Sequence, residues 1–232
     1  MRWNTDRLRW YLQAGKHSDY PRVFIEKIKP FLRPEDVLLD IGSGPGLFSR
    51  ELVAHVKKVY NLEPDPLPRK YLEKVTGNCE KIEILPGSWP EEFPEEIFAD
   101  VTISAFSGSQ VMSREESLKK ICRHTCRHVF LIAPAGPKDF GSGLERATSP
   151  LPYRETEAAL KKLDLIYQLE LISFDFGQPV QDMEEATSFL SQQLRISPQM
   201  ARNHASRIAR PDGEGLYLPN LRRSALIRID LF

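Results

Sequence analysis

The segment Asp40-Ile41-Gly42-Ser43-Gly44-Pro45-Gly46 limits what this chain can fold into more than any other. It closes a short, nearly all-apolar run, Val37 to Ile41, that reads as a buried central strand. It opens Leu47 to Val56, which reads as a helix. Three glycines let the backbone turn sharply and approach a ligand where a Cβ would collide. The start of the following helix offers unpaired N–H groups and a positive dipole end. An acid, Glu63, ends the next strand 23 residues after Asp40, where a carboxylate can accept both hydroxyls of a ribose.

Short apolar runs alternate with amphipathic stretches along the chain, the pattern of an α/β protein. Lys58 to Leu62, Lys81 to Leu85, Ala99 to Ser104 and His128 to Ala133 read as further strands. Pro64, Pro66, Pro68, Pro86, Pro90 and Pro94 punctuate strand ends and spare the strand interiors. Leu165 to Phe176 and Ser224 to Phe232 alternate with period two and are expected to pair antiparallel at one sheet edge. Ser113 with Glu116, and Asp182 with Glu185, have capping-box spacing, and Ser197-Pro198 marks another helix start. The expected fold is a doubly wound, mostly parallel seven-stranded sheet with an antiparallel final strand. Its expected parts are an N-terminal helical segment or flap (1–33), an α/β core (34–176), a helical insertion or lid (177–215) and the final strand (216–232).

Composition narrows the function classes. The 232 residues carry 32 basic and 32 acidic side chains, a balance that argues against wrapping nucleic acid mainly through its phosphates. No run of about 18 apolar residues could span a membrane, and the charged, aromatic N-terminus does not read as a signal peptide. Three cysteines do not make a disulfide framework, so a reducing, cytoplasmic setting is expected.

The dinucleotide fingerprint G-x-G-x-x-G is not met from Gly42, because Leu47 stands where its third glycine would be. No Walker-type phosphate loop is present. An acid followed by x-G-x-G-x-G, with a second acid in Leu62-Glu63-Pro64, resembles the class I S-adenosylmethionine-dependent methyltransferase family. The resemblance runs by motif from about Pro34 to Ala135. It implies the doubly wound fold, S-adenosyl-L-methionine as cofactor and S-adenosyl-L-homocysteine as product. Residue by residue, it implies Asp40 near the methionine amino group, Gly42, Ser43, Gly44 and Gly46 in the loop beneath, and Glu63 and Pro64 at the ribose. Gly87, Ser88 and Trp89 would flank the adenine, with Trp89 covering its face where Ser88 replaces the usual acid. Ser104, with Ala105, Phe106 and Ser107, would face the methyl group. The Asn/Asp-Pro-Pro-Tyr/Phe sequence common in nucleic-acid amino-methyltransferases is missing here.

Other features have ordinary readings beside sharper ones. On a helix, Cys122 and Cys126 share one face and His124 and His128 another, so one metal ion could not collect all four. No metal is expected, only partly buried cysteines and surface histidines. His204 reads as a satisfied core histidine. Trp3, Trp10 and Tyr11 either anchor an N-terminal helix or form a flap over the cofactor. Seven arginines between Arg195 and Arg228 form a solvated face or recognise an anion. Glu91, Glu92, Glu95 and Glu96 read as a solvated loop. No catalytic residue is assigned, His17, Tyr153, His204 and Tyr217 being candidates by residue type alone. The expected function is methyl transfer to a small molecule. RNA or protein methylation through the arginine-rich C-terminal third, binding without turnover, and an NAD oxidoreductase are the alternatives.

Overall fold

Alternation along an apolar strand sends neighbouring side chains to opposite faces, so a sheet of such strands must be covered on both sides. The computed structural model describes residues 3–136, 140–141 and 151–231; Met1, Arg2 and Phe232, placed above in the terminal segments, lie outside them. In chain order, α1 (Thr5–His17) and α2 (Arg22–Ile28) lead into β1 (Val37–Ile41), α3 (Ser49–Leu52), β2 (Lys58–Leu62), α4 (Pro66–Thr76), β3 (Ile82–Leu85) and β4 (Ala99–Ala105). Then come α5 (Ser109–Met112), α6 (Glu115–His124), β5 (Thr125–Pro134), α7 (Pro152–Lys162) and β6 (Tyr167–Asp175). The chain ends with β7 (Gln178–Val180), α8 (Met183–Leu194), α9 (Pro198–Ile208), β8 (Arg210–Asp212), β9 (Gly215–Leu218) and β10 (Leu221–Asp230).

Seven strands form one sheet in the order β3-β2-β1-β4-β5-β10-β6. The final strand β10 lies between β5 and β6 and runs antiparallel to both. Leu39 and Ile41 face a core shared with α5, α6 and α7, whereas Leu38, Val101 and Ile103 face one shared with α1, α2 and α3. The doubly wound sheet and the pairing of the two alternating segments are as expected. No helix among the described residues is long and apolar enough to cross a membrane.

Several local expectations are corrected. The helix after the glycine turn is only α3 and a following 3-10 turn, Val53–His55. The chain has no room for more, because the Lys57 N–H already reaches the Asp36 carbonyl (2.8 Å) to start β2. Ser113 does not cap α6: the N-cap is Arg114, and the Ser113 hydroxyl bonds Thr156 Oγ1 at 3.1 Å instead. The final strand starts at Leu221 rather than at residue 216, because β9 is the centre of a separate small sheet, β7-β9-β8. Asn220 makes the crossing, its N–H donating to Asp175 Oδ1 (2.9 Å) and its Nδ2 to the Phe176 carbonyl (3.1 Å).

The insertion has its own apolar core, in which Ala186, Phe189 and Leu190 of α8 meet Ala201 and Ala205 of α9 and Trp10 of α1. Asp182 caps α8 as expected, accepting from the N–H groups of Glu184 and Glu185. Glu185 does not close the box on Asp182. One of its oxygens accepts from Gln181 N (2.8 Å), and the other from Trp10 Nε1 (3.1 Å) and the Arg9 guanidinium. This clasp ties α1 to the start of α8, and it leaves the buried Trp10 N–H satisfied. Glu185→Ala is expected to cost about 1–3 kcal/mol, mostly from that orphaned donor, read as a lower midpoint in urea unfolding.

Candidate active site

A cavity of about 920 Å³ opens at the carboxyl ends of β1, β2 and β4, the place where ligands settle in open α/β sheets. The glycine turn forms one wall. Gly42, Gly44 and Gly46 have φ of +71°, +55° and +75°, which side chains rarely adopt. Gly42 and Gly46 are also glycine for space: a Cβ on them would lie 2.9 Å from Ser107 Cβ and 2.5 Å from Leu72 Cδ1. Gly44 lines the cavity, and the Trp3 indole stands over it, 3.5 Å from where a Cβ would be. The turn's first donors, Gly42 N and Ser43 N, are spent on the Leu62 carbonyl.

Two buried acids sit behind the turn. Glu63 accepts from Gly44 N through one carboxylate oxygen and from Asp65 N through the other, both at 2.8 Å. Burial pushes its carboxyl above the usual glutamate range, against these two bonds. Asp40 is more extreme: burial, then repulsion from Glu63, raises it to about 7, and the Ser49 N–H only partly offsets this. Its Oδ2 is buried without a hydrogen-bond partner. A buried, unsatisfied carboxylate oxygen beside a cavity is a site for a cationic donor.

Of the residues expected at the cofactor, Asp40, Gly42, Ser43, Gly44, Glu63, Pro64, Gly87, Ser88 and Trp89 line this cavity together. Gly46 and Ser104 do not. Gly46 packs under α4, and the Ser104 hydroxyl is turned away to the Ile41 carbonyl (3.1 Å) and to Ser107. Its successors Ala105, Phe106 and Ser107 reach the cavity. Phe106 holds a left-handed backbone, φ +55°, costing on the order of 1 kcal/mol or more. Trp89 donates its indole N–H to Ser117 Oγ (2.9 Å) and leans on Phe93, so it is a core residue with an edge at the site.

Residues 39–133 match the family model of a methyltransferase domain. Those residues carry a methyltransferase domain. No curated protein matches the sequence. Among solved structures it is similar to an S-adenosylmethionine-dependent methyltransferase of Thiobacillus denitrificans in complex with S-adenosyl-L-homocysteine, at 10% identity over 99% of this chain and 100% of the other, TM-score 0.58. It is similar to precorrin-6y C5,15-methyltransferase of Geobacter metallireducens, at 12% identity over 91% and 87%, TM-score 0.57. It is also similar to an rRNA methylase of Streptococcus thermophilus, at 10% identity over 90% and 95%, TM-score 0.50.

S-adenosylmethionine, the cofactor that the motif resemblance implies, has a chemistry that suits the residues present. The orphaned Asp40 Oδ2 fits the amino group, and Glu63 keeps lone pairs for ribose hydroxyls beside its two backbone bonds. Several lining residues were not singled out above: Arg7, Tyr20, Gln110, Phe140, Phe176, Gln178 and Phe189. The density of aromatic residues in the first 20 positions was the one available signal for Tyr20. Tyr11, one of the aromatics read above as anchor or flap, also lines it, as do Arg195 and Arg222 of the seven C-terminal arginines.

The remaining candidates lie elsewhere. His124 is buried, not at the surface, bonding the Ile97 carbonyl (2.8 Å) and Glu95 (3.2 Å), while His128 bonds Asp230 (2.8 Å). Cys126 is exposed, and burial pushes the half-buried Cys122 thiol up. His204 Nε2 meets the Phe140 carbonyl at 3.0 Å. Glu92 and Glu95 do more than solvate a loop: Glu92 accepts from Ser88 N (2.7 Å), and Glu95 gathers Lys120, Arg123 and His124.

Glu63→Ala is expected to weaken S-adenosylmethionine binding by roughly 1.5–3 kcal/mol, measured by titration calorimetry. Asp40 gives a pH test. Below about 7 it is protonated, so an ammonium loses its anion there. Affinity for S-adenosylmethionine should therefore fall by up to about tenfold per pH unit below that value, and Asp40→Asn should flatten the profile. The folded protein also holds this proton more tightly than the unfolded chain does. Its ligand-free stability should decline as pH rises from the ordinary aspartate range to about 7.

Proposed function

We propose that this methyltransferase acts on a small molecule held beside the cofactor under a lid made by α1 and the insertion. What carries the reading is the cavity: at about 920 Å³ it is at the upper end of small-molecule pockets, large enough for two ligands together. Its far wall comes from Tyr11 and Ala14 of α1, Phe189 and Gln193 of α8, and Gln178. A macromolecular acceptor would need an open face where these residues stand. The balanced charge supports the same reading, and cysteine usage supports a cytoplasmic setting.

Bound S-adenosylmethionine supplies a methyl group already activated on a sulfonium. The acceptor's lone pair forms the new bond to that carbon as the carbon–sulfur bond breaks toward sulfur, leaving S-adenosylhomocysteine. A protic acceptor releases its proton to solvent. Chain residues contribute alignment and exclusion of water, which is where most of the acceleration in such a displacement lies. Asp40 and Glu63 fix the donor; Phe106 and the α1 aromatics confine the space its methyl group faces.

The test is transfer of labelled methyl groups from S-adenosylmethionine to a small-molecule library and, separately, to total RNA. Turnover on a small acceptor, with RNA inert, is the expected result. RNA labelling with binding that falls steeply in salt would overturn it.

A further inference from the structure

Asn61 stands where the sheet calls for an apolar side chain. It lies in Val59-Tyr60-Asn61-Leu62 of β2 and is fully buried, and neither its amide nitrogen nor its amide oxygen has a hydrogen-bond partner. A buried amide paired on neither atom is costly, and uncommon enough in a folded chain to call for a reason.

Its neighbours supply one. In the parallel ladder of β1 and β2, Leu38 pairs with Val59 and Asp40 with Asn61. Leu38 and Val59 share one apolar core, so by the two-residue period Asp40 and Asn61 point to that same face, one strand spacing of roughly 4.8 Å apart. Leu52 of α3 packs on this face, and the Ser49 N–H of α3 bonds Asp40. The Ser49 hydroxyl is fully buried and also without a partner. Asp40 Oδ2, Ser49 Oγ, Asn61 Nδ2 and Asn61 Oδ1 are thus orphaned atoms gathered around one carboxylate.

Their donors and acceptors match. An Asn61 amide turned about its last side-chain bond gives an N–H to Asp40 and its oxygen to the Ser49 O–H, with the backbone unchanged. Asp40 Oδ2 has two lone-pair directions, so a bond from the sheet side leaves the cavity side for the cofactor's amino group. The bond matters most to the charged form, because a carboxylate that accepts another N–H is favoured over its acid. The groups facing Asp40 are Glu63 at the end of β2, Tyr11 of α1 and Tyr20 ahead of α2, with the Ser49 N–H of α3 in favour of ionisation.

We propose that Asn61 is a positioning residue for the cofactor site. Its amide N–H holds the ionised Asp40 carboxylate from behind, Ser49 anchors the amide, and Asp40 keeps the charge and orientation that meet the amino group of S-adenosylmethionine. Asn61 acts here through Asp40 alone, so its role depends on Asp40 being the cofactor's partner and not on which acceptor is methylated.

The experiment follows the Asp40 carboxyl in cofactor-free protein by carbon-13 NMR from about pH 5 to about pH 9, the signal being assigned by its loss in Asp40→Asn. The Asn61 side-chain amide is followed in the same samples, and S-adenosylmethionine affinity is measured by calorimetry at each pH. In wild-type protein the Asn61 amide signal is expected to shift with the Asp40 midpoint, as its N–H gains a charged acceptor. Asn61→Val keeps a strand-forming side chain and removes the donor. It should raise the Asp40 midpoint by about one pH unit or more and weaken S-adenosylmethionine relative to wild type by up to about tenfold on the acid side. That gap should close as both carboxyls ionise. An amide signal indifferent to the Asp40 titration overturns the proposal, and it does so even where Asn61→Val fails to fold. A midpoint unmoved in Asn61→Val overturns it too, as does a loss of affinity that is equal at every pH, which a purely structural role would give. If the midpoint moves but affinity does not follow it, Asp40 is not the cofactor's partner, and that assignment falls together with the role of Asn61.

Discussion

The Glu63 carboxylate holds the site together. Each of its oxygens takes one backbone N–H, Gly44 from the turn after β1 and Asp65 from the turn after β2, so one buried side chain fixes two loops against each other. The Arg69 guanidinium adds a bond to the Glu63 carbonyl at 2.9 Å. An acid can do this only at a strand end. There backbone donors are not yet committed to the sheet, and burial is incomplete enough that ionisation remains within reach. With Glu63 so placed, Asp40 is left beside a like charge with the Ser49 N–H as only a partial offset, and a cation arriving at its orphaned oxygen would favour its ionised form. The two acids thus have unequal roles, although both end neighbouring parallel strands.

A second constraint closes the far side. α1 is joined to the insertion at Glu185, across 176 residues from Arg9 and 175 from Trp10, and to the glycine turn through Gly15, where a Cβ would lie 2.7 Å from Leu47 Cδ1. The cover on this side of the cavity therefore belongs to no single stretch of sequence, and it packs around a small apolar core of its own.

What could be read from the sequence follows the same division. The glycine turn, Glu63 and the five central strands are local features, each written in a few adjacent residues by spacing or alternation, and they stand where the spacing put them. The short α3 was misjudged because apolar periodicity continues through Val53 and Val56, although the chain must already turn into β2. Ser113 had the right neighbours for a cap, but Thr156, 43 residues on, takes its hydroxyl. His124 read as a surface residue because its partners, Ile97 and Glu95, lie 27 and 29 residues back in the chain. Of seven arginines in one charged stretch, only Arg195 and Arg222 reach the cavity, and nothing local marks them out from Arg202 or Arg223.

This asymmetry has a physical origin in how the cavity is assembled. Its donor half is made by consecutive strand–turn units, which any chain of this fold must build to close its sheet. Its acceptor half is made where distant pieces meet: α1, the end of β6, α8 and the first residues of β10. Such a surface can change residue by residue without disturbing the sheet, because its members are held by each other rather than by the ladder hydrogen bonds. A fold built this way keeps one chemistry while its acceptor varies. For this chain, the reading of the donor therefore rests on the turn and its acids, and the reading of the acceptor on the residues that α1, α8 and the start of β10 bring to the cavity.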